Sequence, residues 1–288
     1  MTTDVNAAGT WRFGGTLPVN RMGFGAMQLA GPGVFGPPAD PDAALAVLRR
    51  AVALGVNHID TSDFYGPYVV NHLIRQALHP YPEGLVLVTK VGARRDDTGA
   101  WLRADSPDEL RSAVHDNLEH LDVPALDLVN LRMHSEGGPD DSSIGKRFEV
   151  LADLREQGLI RHLGVSNASI RQLDEALSIA PVAQVQNAFN IAMRDDAPMV
   201  ARCAELGIAY VPFFPLGSAF RPMPLEPLAG VAGRHGVTER QVALAWLLDF
   251  APCVLLIPGT SSVAHLEENV AAAGIRLTEE DRAELDAV

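Results

Sequence analysis

The feature that most constrains this chain is a regular alternation of two kinds of segment. Short apolar runs rich in β-branched residues lie near 22–27, 56–60, 85–89, 126–132, 160–164, 182–186, 208–213 and 254–257. Helical stretches interleave with them near 42–54, 68–78, 106–121, 146–157, 169–178, 195–206, 239–250 and 279–287. Runs this short and this apolar suit strands covered on both faces. Eight strands, each with a following helix, predict a single α/β (β/α)8 TIM barrel. Ser106-Pro107-Asp108-Glu109 and Thr278-Glu279-Glu280-Asp281 are helix starts with acidic first turns. Thr10–Phe13 and Thr16–Val19, joined through Gly14-Gly15, predict a short N-terminal β-hairpin. No repeat, low-complexity run or linker interrupts the pattern, so residues 1–288 are expected to form one domain. A Gly-x-Gly-x-x-Gly after the first strand is missing, which disfavours a doubly wound dinucleotide domain.

Charge narrows the partners. A net charge of −13 disfavours nucleic acid and anionic membranes, so any phosphate must be held by a local site working against the overall field. The basic pair Arg94-Arg95 is followed at once by Asp96-Asp97. The N-terminus lacks the basic and apolar regions of a signal peptide, and no apolar run approaches the length of a spanning helix. Cys203 and Cys253 are too few for a disulfide framework and have no metal-ligand spacing. A cytoplasmic protein is expected, with no bound metal, because His58, His72 and His134 lack ligand spacing too.

In a barrel, chemistry is built at the carboxyl ends of the strands. Gly55-Val-Asn-His-Ile-Asp60 ends on a carboxylate, and Tyr65 follows in the next loop. Leu85-Val-Leu-Val-Thr89 runs into Lys90, one of two lysines in a chain with 21 arginines. A strand-end lysine can simply snorkel to water. Beside Asp60 and Tyr65 at a neighbouring strand end, a site is the better reading. Gly23 and Gly25 either admit a ligand or another backbone, or ease a turn.

These residues resemble the aldo/keto reductases over essentially the whole chain. The family's patterns stand here as Gly55…Asp60-Thr61…Tyr65-Gly66, Lys90, Gly164-Val-Ser166-Asn167, Gln186-Asn-Ala-Phe189-Asn190, and Ile257-Pro-Gly-Thr260 with Glu268-Asn269. The resemblance implies that Tyr65 is the general acid, that Lys90 lowers its pKa, and that Asp60 orients Lys90. It implies that Ser166, Asn167 and Gln186 hold a nicotinamide carboxamide and that Phe213 stacks on the ring, although Phe214 is adjacent. The resemblance also places Gly25, Ala26, Met27, Leu216, Gly217, Ser218 and Ile257 among the cofactor-binding residues. Gly259, Thr260, Ser261, Ser262, His265, Glu268 and Asn269 are expected at its adenosine end. Gly259 and His265 stand where many relatives carry Lys and Arg, so the grip on a 2′-phosphate is reduced; NADPH is still expected over NADH. Asp127-Leu-Val-Asn-Leu-Arg132 departs from the family by placing arginine where histidine is usual. Arg132, ahead of His134, is expected to take that fourth catalytic position. Gln28, Phe35, Phe64 and Trp101 are candidates for the substrate pocket. Finer details resemble a bacterial subgroup that includes pyridoxal reductases, which implies reduction of pyridoxal to pyridoxine. The alternatives are another small aldehyde or ketone, or a cofactor-binding regulatory barrel with little turnover.

Overall fold

The computed structural model describes residues 4–134, 138–217 and 223–288. The chain opens with the expected hairpin, β1 (Thr10–Phe13) against β2 (Leu17–Asn20), with Phe13 opposite Leu17. Gly14 and Gly15 turn it with φ of 54° and 74° in a three-residue loop, where Thr16 N donates to Phe13 O at 3.1 Å. A parallel sheet then grows strand by strand. β3 (Phe24–Gly25) pairs with β4 (His58–Asp60), which pairs with β5 (Val86–Arg95). The far end of β5 also carries β6 (Trp101–Ala104) in antiparallel register, an excursion beyond the barrel. The sheet continues through β7 (Leu126–Arg132), β8 (Ile160–Ser166), β9 (Val182–Gln186) and β10 (Ala209–Tyr210).

The eighth barrel strand, expected near 254–257, closes the ring without forming a regular ladder. Val254 bridges to Tyr210 and Leu256 to Met22. The closing backbone bonds include Leu255 N to Tyr210 O at 2.9 Å, Tyr210 N to Cys253 O at 2.8 Å, Leu256 N to Arg21 O at 2.7 Å and Gly23 N to Leu256 O at 2.7 Å. A Cβ at Gly23 would stand 2.8 Å from His58 Nδ1 and 3.0 Å from Leu256 O, and one at Gly25 would stand 2.4 Å from Ile257 O. The two glycines therefore let backbones meet at the closure. The first strand is shorter than expected, because Ala26–Leu29 turns into a 3-10 helix.

Helices α1 (Pro41–Ala53), α2 (Val69–Leu78), α3 (Pro107–Leu121), α4 (Gly145–Glu156), α5 (Ile170–Ile179) and α6 (Ala197–Leu206) follow the first six barrel strands. α7 (Ala229–His235) and α8 (Glu239–Phe250) follow the seventh. The helix after the eighth strand is α9 (Val263–Ala271), which the sequence pattern did not mark. The strongly capped 279–287 segment is instead an extra helix, α10 (Glu279–Asp286). Capping boxes start α3 (Ser106 with Glu109) and α10 (Thr278 with Asp281), each satisfying donors that a helix start leaves open.

Two apolar cores result. The larger lies between sheet and helices, with Phe24, Leu48, Ile59, Ile74, Leu131, Phe148 and Val165 among its fully buried members. The smaller fills the barrel: Phe13 and Val19 from the hairpin meet Val86, Val88, Leu128, Ala183, Val211 and Leu255. The hairpin thus stoppers the lumen, and the strand ends bearing Asp60, Lys90, Arg132, Ser166 and Gln186 gather beyond that core. No described helix is long and apolar enough to cross a membrane.

Candidate active site

Parallel register sets Asp60 opposite Val88, two residues before Lys90, and aligns Arg132 with Ser166 and Ser166 with Gln186. Lys90 Nζ donates to Asp60 Oδ1 at 2.5 Å and to the Thr61 carbonyl at 2.9 Å. Gln186 Nε2 donates to Asp60 Oδ2 at 2.8 Å, so the adjacent strand β5 and the non-adjacent strand β9 between them hold both carboxylate oxygens. The Lys90 ammonium lies 5.2 Å from the centre of the Tyr65 ring. Asp60, Tyr65 and Lys90 are all buried. The loop that carries Tyr65 is braced from below, where Thr61 Oγ1 donates to Asn71 Oδ1 and Asn71 Nδ2 to Asp63 Oδ1.

Charge balance in the cluster has opposing parts. Burial alone would strip Lys90 of its proton, but Asp60 and Tyr65 outweigh it and hold the ammonium above its ordinary pKa. Burial pushes the Tyr65 phenol up; Lys90 pulls it down, Asp60 raises it again and Arg132 lowers it. The net direction is upward. Lys90 lowers the phenol's pKa, as expected from the sequence, and desolvation, which the sequence does not show, outweighs it.

The arginine and histidine that competed for the fourth position part company. Arg132 Nη1 donates to Ser166 Oγ at 3.1 Å, and its guanidinium carbon sits 4.9 Å from the Phe213 ring centre. It is also close enough to Tyr65 for each to shift the other's proton affinity. His134 is exposed just past the strand end. Phe213, rather than Phe214, thus adjoins the cluster; Phe214 meets Phe213 edge-on and gives its carbonyl to Asn190 Nδ2.

Aromatic rings wall one side. Phe64 meets Tyr65 edge-on at 5.4 Å and Trp101 at 5.6 Å. Trp101 is 42% exposed. Arg95, which the sequence singled out only as part of a basic pair, lies 4.0 Å from the Trp101 ring centre and 5.4 Å from that of Phe35. It donates to the carbonyls of Gly33, Val34 and Gly99 at 2.6–3.0 Å. Gln28, expected with these rings, stands instead beside Gly259, whose added Cβ would lie 3.3 Å from Gln28 Cγ.

The adenosine-side candidates gather at the exit of the eighth strand. A cleft of about 70 Å³ is lined by Leu216, Arg240, Gly259, Thr260, His265, Glu268 and Asn269. Ser262 caps α9, its Oγ accepting from His265 N, and Ser262 N donates to Thr260 Oγ1 at 3.1 Å. Gly25, Ala26 and Met27 lie across the closure on the first-strand side, Ile257 stands beside Gly259 at the end of the eighth strand, and Gly217 sits at a positive-φ turn. Ser218 lies outside the described residues. Arg240 was missed in the sequence; its one signal there is a cation in the first turn of a helix, where the dipole disfavours it.

A nicotinamide dinucleotide fits the groups present. Gln186 Oε1 is a buried acceptor with no partner among the described residues, as a carboxamide N–H would require. Asn269 is 6% exposed, lines the cleft and makes no side-chain hydrogen bond among the described residues. Among the described residues, no group of three or more His, Cys, Asp or Glu side chains could hold a metal.

Comparison with known proteins places the chain. The aldo/keto reductase family model matches residues 21–288, and the chain belongs to that family. It is accordingly an NAD(P)H-dependent oxidoreductase of C=O and CH–OH groups. Among its relatives is the pyridoxine 4-dehydrogenase of Escherichia coli, 56% identical over 276 residues that cover 95% of this chain and 96% of that one. A thermostable aldo-keto reductase solved with the inhibitor epalrestat is 30% identical, with a TM-score of 0.79 over 94% of this chain and 95% of its own. An aldo-keto reductase of Klebsiella pneumoniae solved with NADPH is 25% identical, with a TM-score of 0.78 over 96% and 94%.

Proposed function

We propose that this protein interconverts pyridoxal and pyridoxine with NADPH, working as one barrel domain on a small-molecule substrate. The observation that carries the catalytic part is the buried cluster of Asp60, Lys90 and Tyr65 beside an aromatic wall. NADPH, which Ser166, Asn167 and Gln186 would hold by its carboxamide, would supply the hydride. Tyr65 gives its hydroxyl proton to the carbonyl oxygen, and the phenolate left behind is stabilised by Lys90. Asp60, held by Gln186, keeps Lys90 charged and oriented. Burial keeps Tyr65 protonated at neutral pH, which suits an acid in the direction of reduction.

Arg132 takes the fourth position. It cannot release a proton, so it polarises the carbonyl or receives an electron-rich ring substituent while Tyr65 carries the proton transfer alone. Ser166, Asn167 and Gln186 hold the nicotinamide carboxamide, and Phe213 faces the ring. Phe64, Trp101 and Phe35 suit a planar aromatic aldehyde, and 56% identity to a pyridoxine 4-dehydrogenase supports the particular substrate. The net charge of −13 supports a small-molecule partner over nucleic acid.

The test is loss of absorbance at 340 nm with NADPH against pyridoxal and a panel of aldehydes. Turnover confined to pyridoxal, falling about a hundredfold or more in Tyr65→Phe with NADPH binding kept, is the expected result. Parent-like rates in Tyr65→Phe would sink the catalytic assignment. Faster turnover of unrelated aldehydes would sink the substrate.

A further inference from the structure

The cleft at the end of the eighth strand holds a cation that no sequence motif marked. Loops after the seventh and eighth strands of such barrels, with a helix start, commonly hold a phosphate. The helix start here is ordinary; the rest of the cleft is not. Gly259 has no room for a side chain, since a Cβ there would stand 2.6 Å from Gly25 O. Arg50, which reaches α9 from α1, is neutralised by Glu267 at 2.7 Å. Arg240 makes no hydrogen bond or ion pair among the described residues, although it lines the cleft. Buried Asn269 faces the same space with its carboxamide unpaired. A carboxamide offers the donor and acceptor that an adenine edge needs, and a free guanidinium offers the fork that a phosphate needs. Glu268 opposes an anion here, but its carboxylate already accepts from Thr238 Oγ1 at 2.7 Å.

We infer that Arg240 binds the 2′-phosphate of NADPH and sets the preference of this protein for NADPH over NADH. The inference rests on the cofactor reading above. Arg240 is a specificity residue remote from the reacting atoms, approaching from α8, which precedes the eighth strand. His265, on α9, is the weaker partner because it is charged only when protonated.

The experiment is fluorescence titration of the full chain with NADPH and with NADH, for wild type, Arg240→Met and Arg240→Lys. Arg240→Met should weaken NADPH about ten- to a hundredfold, the worth of one or two charge-assisted hydrogen bonds. NADH should shift by less than about twofold. Adenosine 2′-monophosphate should lose its power to compete while adenosine 5′-monophosphate keeps it, and Arg240→Lys should fall between. A preference for NADPH that survives in Arg240→Met overturns the inference alone. Equal binding of both dinucleotides by the wild type overturns it together with the cofactor reading.

Discussion

Arg132 stands where a proton-sharing histidine would be ordinary, and it donates to Ser166, the residue proposed to hold the nicotinamide carboxamide. Arg132→Ala should lower kcat for pyridoxal about a hundredfold, the usual cost of removing one preorganised donor, while His134→Ala should stay within about twofold. Steady-state kinetics on the two variants decides this, and the reverse order would return the role to His134. Asp60, Tyr65 and Lys90 were legible because strand ends in a barrel announce themselves by apolar runs that stop on a polar residue. The upward push on the Tyr65 phenol was not legible, because a sequence shows which charges are near but not how much water is excluded. Arg240 was hidden for a related reason: it approaches from α8, before the eighth strand, whereas the motifs lie after it.

At the level of elements, the β5–β6 excursion and the 33–35 turn are held together by one side chain. Arg95 is sandwiched between Trp101 and Phe35 and bonded to three carbonyls. Its hydrogen bonds to backbone are charge-assisted, and the ring contact adds to them. Arg95→Ala should therefore loosen the aromatic wall and raise KM for aromatic aldehydes about tenfold with kcat nearly unchanged. A parallel fall in kcat would mean that the clamp also positions Tyr65 through Phe64. The alternation of elements made the barrel readable, whereas β6 was unreadable because Trp101-Leu-Arg-Ala is short and pairs only with the overrun of β5. α9 is absent from the expected helices because the acidic, capped start of α10 is the stronger helix signal after the eighth strand.

For the molecule as a whole, the lumen core has a titratable member. His58 is fully buried, edge-on to Phe13 at 5.2 Å, with neither ring nitrogen bonded to protein. Burial, and secondarily Lys90, push its pKa down to about 3. The folded protein keeps His58 neutral where the unfolded chain takes up a proton below its ordinary 6.5. Stability from this group is thus present above that value and lost as pH falls towards 3. Between pH 7 and 5 the loss is about 2 kcal/mol. Urea unfolding at the two pH values checks it, and His58→Gln should flatten the slope by that amount; an unchanged slope would remove His58 as its source.

The closure between Met22 and Leu256 carries one further consequence. The other seven barrel strands form a continuous ladder, but the eighth is laced to its neighbours on both sides by single bridges. The residues assigned to the cofactor sit on both sides of that lacing, Gly25 to Met27 on one and Gly259 to Ser262 on the other. A dinucleotide lying across the Met22–Leu256 side would act as a clasp on one of the two joints where the hoop is held by a single bridge. Occupancy of the site and the deuterium uptake of the Gly23 and Leu256 amides would then report the same event.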